Sequence, residues 1–389
     1  MEKKYFFSIF FITVWYHILM KILIFNWQDI SHPLAGGAEV HLHETYSRIA
    51  AMGHDVTLFC SSYAGAKPFE EMNGIKVIRE GGRFLFNFVV MKKYFSTFKD
   101  QHFDLIVDDM NKIPFYTPAY VSEPVLGELH HLLGTSVFKE AVFPLASYVY
   151  CAERAALPLY KRIHFMIHSP STRREVAEAG FLPEKIHYAA YGLDHSLFRQ
   201  TGIEKSAEPL IGALGRLKKY KSFDHLLDAF VIVRKEIPHA RLVIVGDGDD
   251  RGRLAGKTAS LGLNGCVTFT GFVSEKEKVD WLNRMHVAVN TSAKEGWGLT
   301  AIEANACGTP TVSSNVQGLR DAVIDEETGL LYEYGNREKL AEKIILLLRD
   351  NNLRSRLTAN ALKRSKEFDW QIGAEKTMGV IERIVGKRN

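Results

Sequence analysis

The sequence predicts an α/β protein built from two Rossmann-like, doubly wound domains that face a central cleft. From Lys21 onward, short apolar runs alternate with longer amphipathic runs, a pattern typical of a parallel sheet covered by helices on both faces. The alternation restarts after a polar, turn-rich stretch at 192–208, which indicates a linker. A chain of 389 residues is long enough for two such domains.

In the first half, short apolar runs predict the strands and a long amphipathic run predicts the first helix. That helix covers 38–52 and ends at Gly53. Another helix is expected to start in the run after Ser169, with Thr172 and Glu175 as a capping box. The predicted strands of this half are 21–26, 54–60, 75–78, 103–108 and 165–168, the last of which is expected to close it.

The second half predicts helices at 222–236 and 337–349 and a final amphipathic helix from about Trp370. Its predicted strands are 210–214, 240–245, 267–270, 287–290 and 311–314. In such sheets, ligands bind at the carboxyl ends of the strands. The domain boundaries expected from this pattern are 20–192, 193–208 for the linker, 209–366, and 367–389 for a helix that packs back toward the first domain.

Residues 5–20 are almost wholly apolar and follow Lys3 and Lys4, which is typical of a signal peptide core or a short membrane anchor. The run is shorter than the ~20 residues of a spanning helix, and it leads without a linker into the first strand. We therefore expect 1–19 to be an extension outside the fold, with Met20 as a plausible start.

The charge and the cysteine content bear on which partners and which cell compartment to expect. A formal net charge of +4 does not indicate a nucleic-acid partner. The four cysteines are widely spaced without a C-x-x-C pair, which favours a reducing cytoplasm over a disulfide framework or zinc site. The basic, aromatic segment 83–99 is interpreted either as an ordinary amphipathic helix or as a surface for anionic lipid at the inner face of the membrane.

The run EGWGLTAIEANACGTP at 295–310 carries two glutamates, Glu295 and Glu303. A glycine turn leads into a predicted helix at 300–307, so backbone N–H groups at its start would face an anion. A carboxylate on each side of the turn could bind hydroxyls of the same ligand, which suits a sugar nucleotide. The simpler alternative is a loop that enters a helix and carries two surface glutamates.

Two further segments could bind phosphate. Gly36 and Gly37 lie between the first strand and the first helix, where either an anion site or a tight turn is expected; the dinucleotide fingerprint G-x-G-x-x-G is absent. Arg216 and Lys221 follow the first strand of the second domain and could neutralise a diphosphate, although a solvated basic turn would look the same.

Asp247 and Asp249 form an Asp-x-Asp pair that could hold a metal, but turn formation and helix capping explain it equally well. We favour the structural interpretation and predict no essential metal and no cofactor. His130 and His131 follow a short apolar run, and a histidine at the cleft could bond a sugar hydroxyl or transfer a proton.

In their order and spacing, the segments GGAE, GRLKKYKS, VGDG and E-x7-E resemble the retaining glycosyltransferases of family 4, which have the GT-B fold. The resemblance implies that Arg216 and Lys221 bind the donor diphosphate, that Glu303 bonds the ribose and that Glu295 lies against the donor sugar. It implies a histidine at the donor sugar, best matched by His130, with His131 as the alternative register. The remaining donor-binding residues that it implies are Gly37, Trp297 as a pocket wall in place of the usual phenylalanine, Gly298, Leu299 and Thr300. The segment 316–321 departs from the family pattern and receives no role.

The expected function is transfer of a hexose-type sugar from a nucleotide-diphosphate donor to a glycan or lipid-linked acceptor, in polysaccharide or glycolipid synthesis. The alternatives are a sugar-nucleotide epimerase of the same fold and a non-catalytic sugar-nucleotide-binding subunit. A Rossmann oxidoreductase is disfavoured because G-x-G-x-x-G follows none of the predicted strands.

Overall fold

The computed structural model describes residues 19–82, 84–111, 113–140 and 143–386, with only the backbone at 136, 139 and 140. The predicted extension 1–19 lies outside these residues except for Leu19, as does Arg83 of the basic, aromatic segment. None of the helices within the described ranges combines the length and apolar character needed to cross a bilayer.

The first domain is built on a sheet whose described strands lie in the order β3-β4-β2-β1-β5-β6-β7-β8, with β3 antiparallel to β4 and the other neighbours parallel. The inner strands are almost fully buried because helices cover both faces. The strands are Lys21–Phe25 (β1), Asp55–Cys60 (β2), Phe69–Met72 (β3), Ile75–Arg79 (β4), Leu105–Asp109 (β5), Val125–Leu129 (β6), His164–Ile167 (β7) and Ile186–Tyr188 (β8). The helices are Gly37–Ala51 (α1), Phe86–Lys93 (α2), Val137–Glu140 (α3), Leu145–Tyr160 (α4) and Pro170–Glu178 (α5).

The second domain repeats this design with described strands in the order β11-β10-β9-β12-β13-β14, all parallel. Its strands are Leu210–Leu214 (β9), Arg241–Val245 (β10), Val267–Gly271 (β11), Val287–Asn290 (β12), Thr311–Ser314 (β13) and Gly329–Tyr332 (β14). Its helices are Phe223–Glu236 (α6), Arg251–Ser260 (α7), Glu275–Arg284 (α8), Leu299–Ala306 (α9), Leu319–Ala322 (α10), Arg337–Arg349 (α11) and Asn351–Ser365 (α12).

A last helix, Trp370–Gly386 (α13), returns to the first domain. Its apolar residues Ala374, Met378 and Ile381 belong to the same buried cluster as Ile22 and Tyr46 of the first domain. The chain packs tightly where α13 begins: a Cβ on Gly192 would lie only 2.2 Å from the backbone nitrogen of Trp370. The exact domain boundaries stay a prediction.

Four strands, β3, β6, β8 and β14, were not expected from the sequence, so the prediction that 165–168 closes the first half was wrong. Strand β6 was not recognised in the sequence because Gly127 and Glu128 interrupt its apolar pattern. Gly127 is required by packing, since a Cβ there would lie 2.4 Å from the Phe165 ring. Strand β8 has only three residues, and β3 is a polar strand at the sheet edge.

The predicted capping box at Thr172 and Glu175 was also wrong. Ser169 is the N-cap of α5, and its Oγ accepts a hydrogen bond from the Thr172 backbone nitrogen at 3.0 Å. Proline at the first helical position starts the helix two residues before Thr172, so Thr172 lies in its first turn. The carboxylate of Glu175 is used between the domains instead.

Candidate active site

The carboxyl ends of β9 and β12 bring Lys221 and Glu295 together at the cleft. Lys221 closes a short turn after β9, and its Nζ donates to Oε1 of Glu295 at 2.5 Å. Ser292 Oγ donates to the same oxygen at 2.5 Å. Because two donors hold this carboxylate, its orientation toward the cleft is set by the two loops together.

Burial alone would lower the pKa of Lys221. The charges of Glu295 and Tyr220 and the hydrogen bond to Glu295 act in the opposite direction, and the pKa of Lys221 is raised overall. The ammonium group therefore stays charged at neutral pH. A permanent cation here can stabilise an anionic leaving group.

Arg216 reaches across the cleft to the first domain. Its Nη1 donates to the Leu34 carbonyl at 3.0 Å. A Cβ on Gly36 would lie 2.6 Å from Nη2 of Arg216, so the guanidinium packs directly against this turn. A Cβ on Gly37 would meet no described atom within 4 Å, which leaves space beside the start of α1. Arg216 and the Gly36–Gly37 turn thus face each other across the cleft.

The start of α9 lies between the two glutamates. Gly298 has a φ of 87°, and a Cβ there would lie 3.0 Å from Leu319 Cδ2, so glycine is needed for this turn. Leu299 opens the helix, and the Thr300 hydroxyl donates to Asn290 Oδ1 at 2.8 Å. The first N–H groups of a helix have no partner within it, so this end of α9 can bind an anion.

Glu303 is buried on α9 and faces Lys278 of α8, whose Nζ donates to Glu303 Oε1 at 3.0 Å. The second oxygen, Oε2, has no hydrogen-bond partner among the described residues. Burial raises the pKa of Glu303, and the charge of Lys278 acts against that rise. Lys278 was missed in the sequence, since its partner lies on another helix.

The indole of Trp297, expected as a pocket wall, lies in the core of the second domain. Trp297 is only 3% exposed and packs edge-on against Phe368, with 5.4 Å between ring centroids. The segment that leads to α13 covers it, and a local sequence pattern does not show this contact. Its predicted donor contact stays a prediction.

The two histidines lie at the domain interface in different environments. His130 is buried: its Nε2 lies 3.0 Å from Asp109 Oδ1, and its Nδ1 is hydrogen-bonded to the Tyr191 hydroxyl. Burial would lower the pKa of His130, but the charge of Asp109 raises it overall. His131 is partly buried, and its Nδ1 has no hydrogen-bond partner among the described residues.

Both histidines approach the Glu295 loop. A Cβ on Gly296 would lie 3.4 Å from Nδ1 of His131 and 3.7 Å from the carbonyl oxygen of His130. Burial lowers the pKa of His131 to about 3, with the charge of Lys294 adding to the effect, so its ring is neutral. To bond a sugar hydroxyl, the buried Nδ1 of His131 would have to become accessible, whereas His130 would have to release Tyr191 or Asp109.

Contacts between α5 and the second domain complete the cleft. Glu175 accepts from Lys294 Nζ at 3.3 Å and from Gln317 Nε2 at 2.9 Å. Asp321 Oδ2 accepts from the Ser171 backbone nitrogen at 3.0 Å. The segment 316–321, which received no role in the sequence, therefore joins the two domains.

The Asp-x-Asp pair lies in the turn between β10 and α7, and neither carboxylate caps α7, whose N-cap is Asp250. Asp247 accepts from the Gly248 backbone nitrogen at 2.8 Å and from Arg251 at 3.0 Å. Asp249 accepts from Lys218 Nζ at 2.6 Å. Both carboxylates are thus engaged in local turn and surface contacts.

Comparison with known proteins identifies the family of the chain. Residues 195–364 match the family model of glycosyl transferases group 1, and residues 35–197 match that of glycosyltransferase family 4. A D-inositol 3-phosphate glycosyltransferase of Jonesia denitrificans is 30% identical over 221 residues, which is 52% of this chain and 52% of the relative. The chain thus matches about half the length of that relative. An uncharacterized glycosyltransferase of Methanocaldococcus jannaschii is 26% identical over 94% of this chain and 99% of its own.

Solved structures show the same architecture. Sucrose-phosphate synthase from Thermosynechococcus elongatus superposes with a TM-score of 0.78 at 23% identity, covering 95% of this chain and 100% of that chain. HepE of Anabaena, solved with UDP-glucose, superposes with a TM-score of 0.75 at 21% identity, covering 93% of this chain and 99% of that chain. At these identities the likeness concerns the fold, and it confirms the predicted GT-B architecture.

Proposed function

Because the chain belongs to the group 1 glycosyltransferases, we propose that it transfers a hexose-type sugar from a nucleotide-diphosphate donor with retention of anomeric configuration. The observation that carries the proposal is the pair of cations that follows β9: Lys221 bonds Glu295, which precedes α9, and Arg216 reaches across the cleft to Leu34. Two cations and a helix start supply the positive potential that a departing diphosphate requires.

In this reaction the acceptor hydroxyl attacks the anomeric carbon on the face from which the nucleotide leaves. The bond between the anomeric carbon and the phosphate oxygen breaks as the bond to the acceptor oxygen forms. Negative charge grows on the departing diphosphate, which takes up the proton of the acceptor hydroxyl. Arg216 and Lys221 stabilise that charge, so the proposal assigns no metal to this step. Glu303 has a free carboxylate oxygen for a ribose hydroxyl, and Glu295 lies beside Lys221 where the sugar would join the diphosphate.

The donor and the stereochemistry are tested together. UDP-, GDP- and ADP-sugars are screened for thermal stabilisation, since a donor present at 100 times its Kd stabilises the fold by about 2.7 kcal/mol. The complex of Anabaena HepE with UDP-glucose makes UDP-glucose the first candidate. The stabilising donor is then incubated with glycan and lipid-linked acceptors, and the anomeric configuration of the product is read by NMR. An inverted product would refute retention.

The same assay distinguishes the two alternatives. An epimerase would change the configuration of the donor sugar without needing an acceptor. A sugar-nucleotide-binding subunit would be stabilised by the donor but would neither transfer nor hydrolyse it. Either result would contradict the proposed transfer.

Replacement of His130 tests the histidine at the donor sugar. We expect His130→Ala to lower kcat/KM by about 10², because a positioned histidine contributes on that order to proton transfer or orientation. His131→Ala, one residue away, is expected to have a smaller effect. The reverse order would contradict the assignment and give the role to His131, whose Nδ1 lies beside the Glu295 loop.

We further propose that the acceptor is lipid-linked and that the protein works at the cytoplasmic face of a membrane. The support is an aromatic patch on and beside α2, where large apolar side chains are exposed and Lys92 and Lys99 lie between or next to them. The patch consists of Phe84, Leu85, Phe88, Met91 and Phe95, with exposed fractions from 40% to 80%. Apolar side chains flanked by cations fit an anionic lipid surface.

Vesicle binding tests this patch. We expect the protein to sediment with vesicles that contain phosphatidylglycerol, less with pure phosphatidylcholine, and less at high salt. The double variant Phe88→Ser/Phe95→Ser should bind about 10- to 100-fold more weakly, because it removes two apolar side chains from the contact. Phe272→Ser is the matched control, since Phe272 is 88% exposed on the other domain. Equal loss in the control would contradict the proposal.

A further inference from the structure

Three buried side chains of the first domain converge behind His130. His41 comes from α1, Glu128 from β6, and His168 directly follows β7. Nε2 of His41 lies 2.9 Å from Oε1 of Glu128, and Nε2 of His168 lies 3.5 Å from the same oxygen. The three side chains are between 0% and 1% exposed, and their ligand atoms all lie within 4.8 Å of one another.

The hydrogen bonds define the state of His168. Its Nδ1 lies 2.9 Å from the Ala189 carbonyl oxygen, which can only accept, so Nδ1 carries the proton. In the neutral ring, Nε2 then bears a lone pair, and it has no hydrogen-bond partner among the described residues. This lone pair faces a carboxylate oxygen that also bears lone pairs. Two acceptors held toward each other in a buried site indicate that a cation or a proton belongs between them.

Charge balance favours a cation. No lysine or arginine within the described ranges forms an ion pair with Glu128. The nearby His130 is paired with Asp109. Buried carboxylates are stable when they are paired or coordinate a metal.

We propose that His41, Glu128 and His168 bind a divalent transition-metal ion, with zinc as the best match. Two imidazoles and one carboxylate form a common zinc ligand set, with bonds of about 2.0–2.2 Å. A tetrahedral site with such bonds has ligand atoms ~3.4 Å apart, and the observed 2.9 and 3.5 Å lie on either side of that value.

Two of the proposed ligands are held by further hydrogen bonds, as metal ligands commonly are. Ala189 fixes the ring of His168 through its carbonyl oxygen, and the Tyr46 hydroxyl donates to Oε2 of Glu128 at 3.2 Å. The His168 ring lies 5.1 Å from that of His130, centroid to centroid. The ion would therefore lie one layer behind the cleft, where it would brace α1, β6 and the end of β7.

Metal binding by the full-length, untagged chain tests the proposal. The purified protein is stripped with a chelator and titrated with Co²⁺, which reports tetrahedral nitrogen and oxygen ligands through its visible spectrum, and then with Zn²⁺. We expect about one ion per chain, displacement of Co²⁺ by Zn²⁺, and a rise in Tm with either ion. A wild-type protein that shows neither a cobalt spectrum nor a rise in Tm would overturn the proposal.

Variants of the proposed ligands, compared with a control variant, test whether the ion binds at this cluster. Glu128→Gln and His168→Asn should each weaken Zn²⁺ binding by more than about 100-fold, beyond the usual effect of losing an outer partner. His164→Asn is the control, because His164 pairs with His187 at 2.9 Å on the neighbouring strands and lies outside the cluster. Ligand variants that bind Zn²⁺ as tightly as the control would overturn the assignment. If a variant does not fold, the wild-type titration decides alone.

Discussion

Lys221→Ala is expected to lower kcat for sugar transfer by about 10²–10³, because it removes a cation that stabilises charge on the leaving diphosphate. The donor KM should change less, since that charge grows mainly in the transition state. Steady-state transfer rates measured with saturating acceptor check this. Arg216→Ala should give a loss of the same order, and its exposed guanidinium makes a folding defect a poor explanation.

Lys218→Ala is the matched control for both variants. Lys218 lies on the same loop, but its ammonium pairs with Asp249 on the surface, where ion pairs contribute little. Its kcat should stay near that of the wild type. A Lys221→Ala enzyme with nearly normal kcat, or a Lys218→Ala enzyme with an equal loss, would refute the role assigned to Lys221.

Glu303→Gln is expected to raise the donor KM by about 10- to 100-fold with a smaller change in kcat. A hydrogen bond to a charged group contributes about 1.5–3 kcal/mol, and the ribose lies away from the reacting bond. Donor titrations followed by Tm and by initial rates measure the effect. The side chain keeps its shape, so the change reports the lost charge.

Glu275→Gln provides the comparison. Glu275 contacts the same lysine, Lys278, from the solvent side and is 61% exposed. Its removal should leave the donor KM within a small factor of the wild-type value. Equal effects of the two substitutions would show that Lys278, and not the carboxylate of Glu303, binds the donor.

The fold was largely predictable because its core strands are short, apolar and regularly spaced. Strands such as β1 and β10 show this pattern clearly, and both were expected within a residue of their observed ends. Strand β6 was missed because the residue types at 127 and 128 suit partners on other elements. Gly127 leaves room for a phenylalanine ring, and Glu128 contacts two histidines. Local propensity carries no information about such partners.

The local arrangement of the segment from Glu295 to Glu303 was predictable for a similar reason. Turn, helix start and the two glutamates lie within one continuous segment, so their spacing along the chain already defines their arrangement in space. The sequence did not determine whether His130 or His131 faces the donor sugar, because that depends on how the end of β6 packs against the Glu295 loop. The burial of Trp297 and the pairing of Lys278 were not predictable either, because Phe368 and Glu303 reach them from other parts of the fold.

Most core strands, the glycine turns and the family resemblance are therefore properties of local pattern, which the sequence by itself contains. Other features do not follow from local pattern. They are the contact of Arg216 with Leu34, the hydrogen bonds that Glu175 accepts from Lys294 and Gln317, and the burial of Glu128 between two histidines. Each joins residues that are far apart in the chain. Such contacts form only when the two sheets and the returning helix α13 pack together, and only there does burial set the charge of these groups.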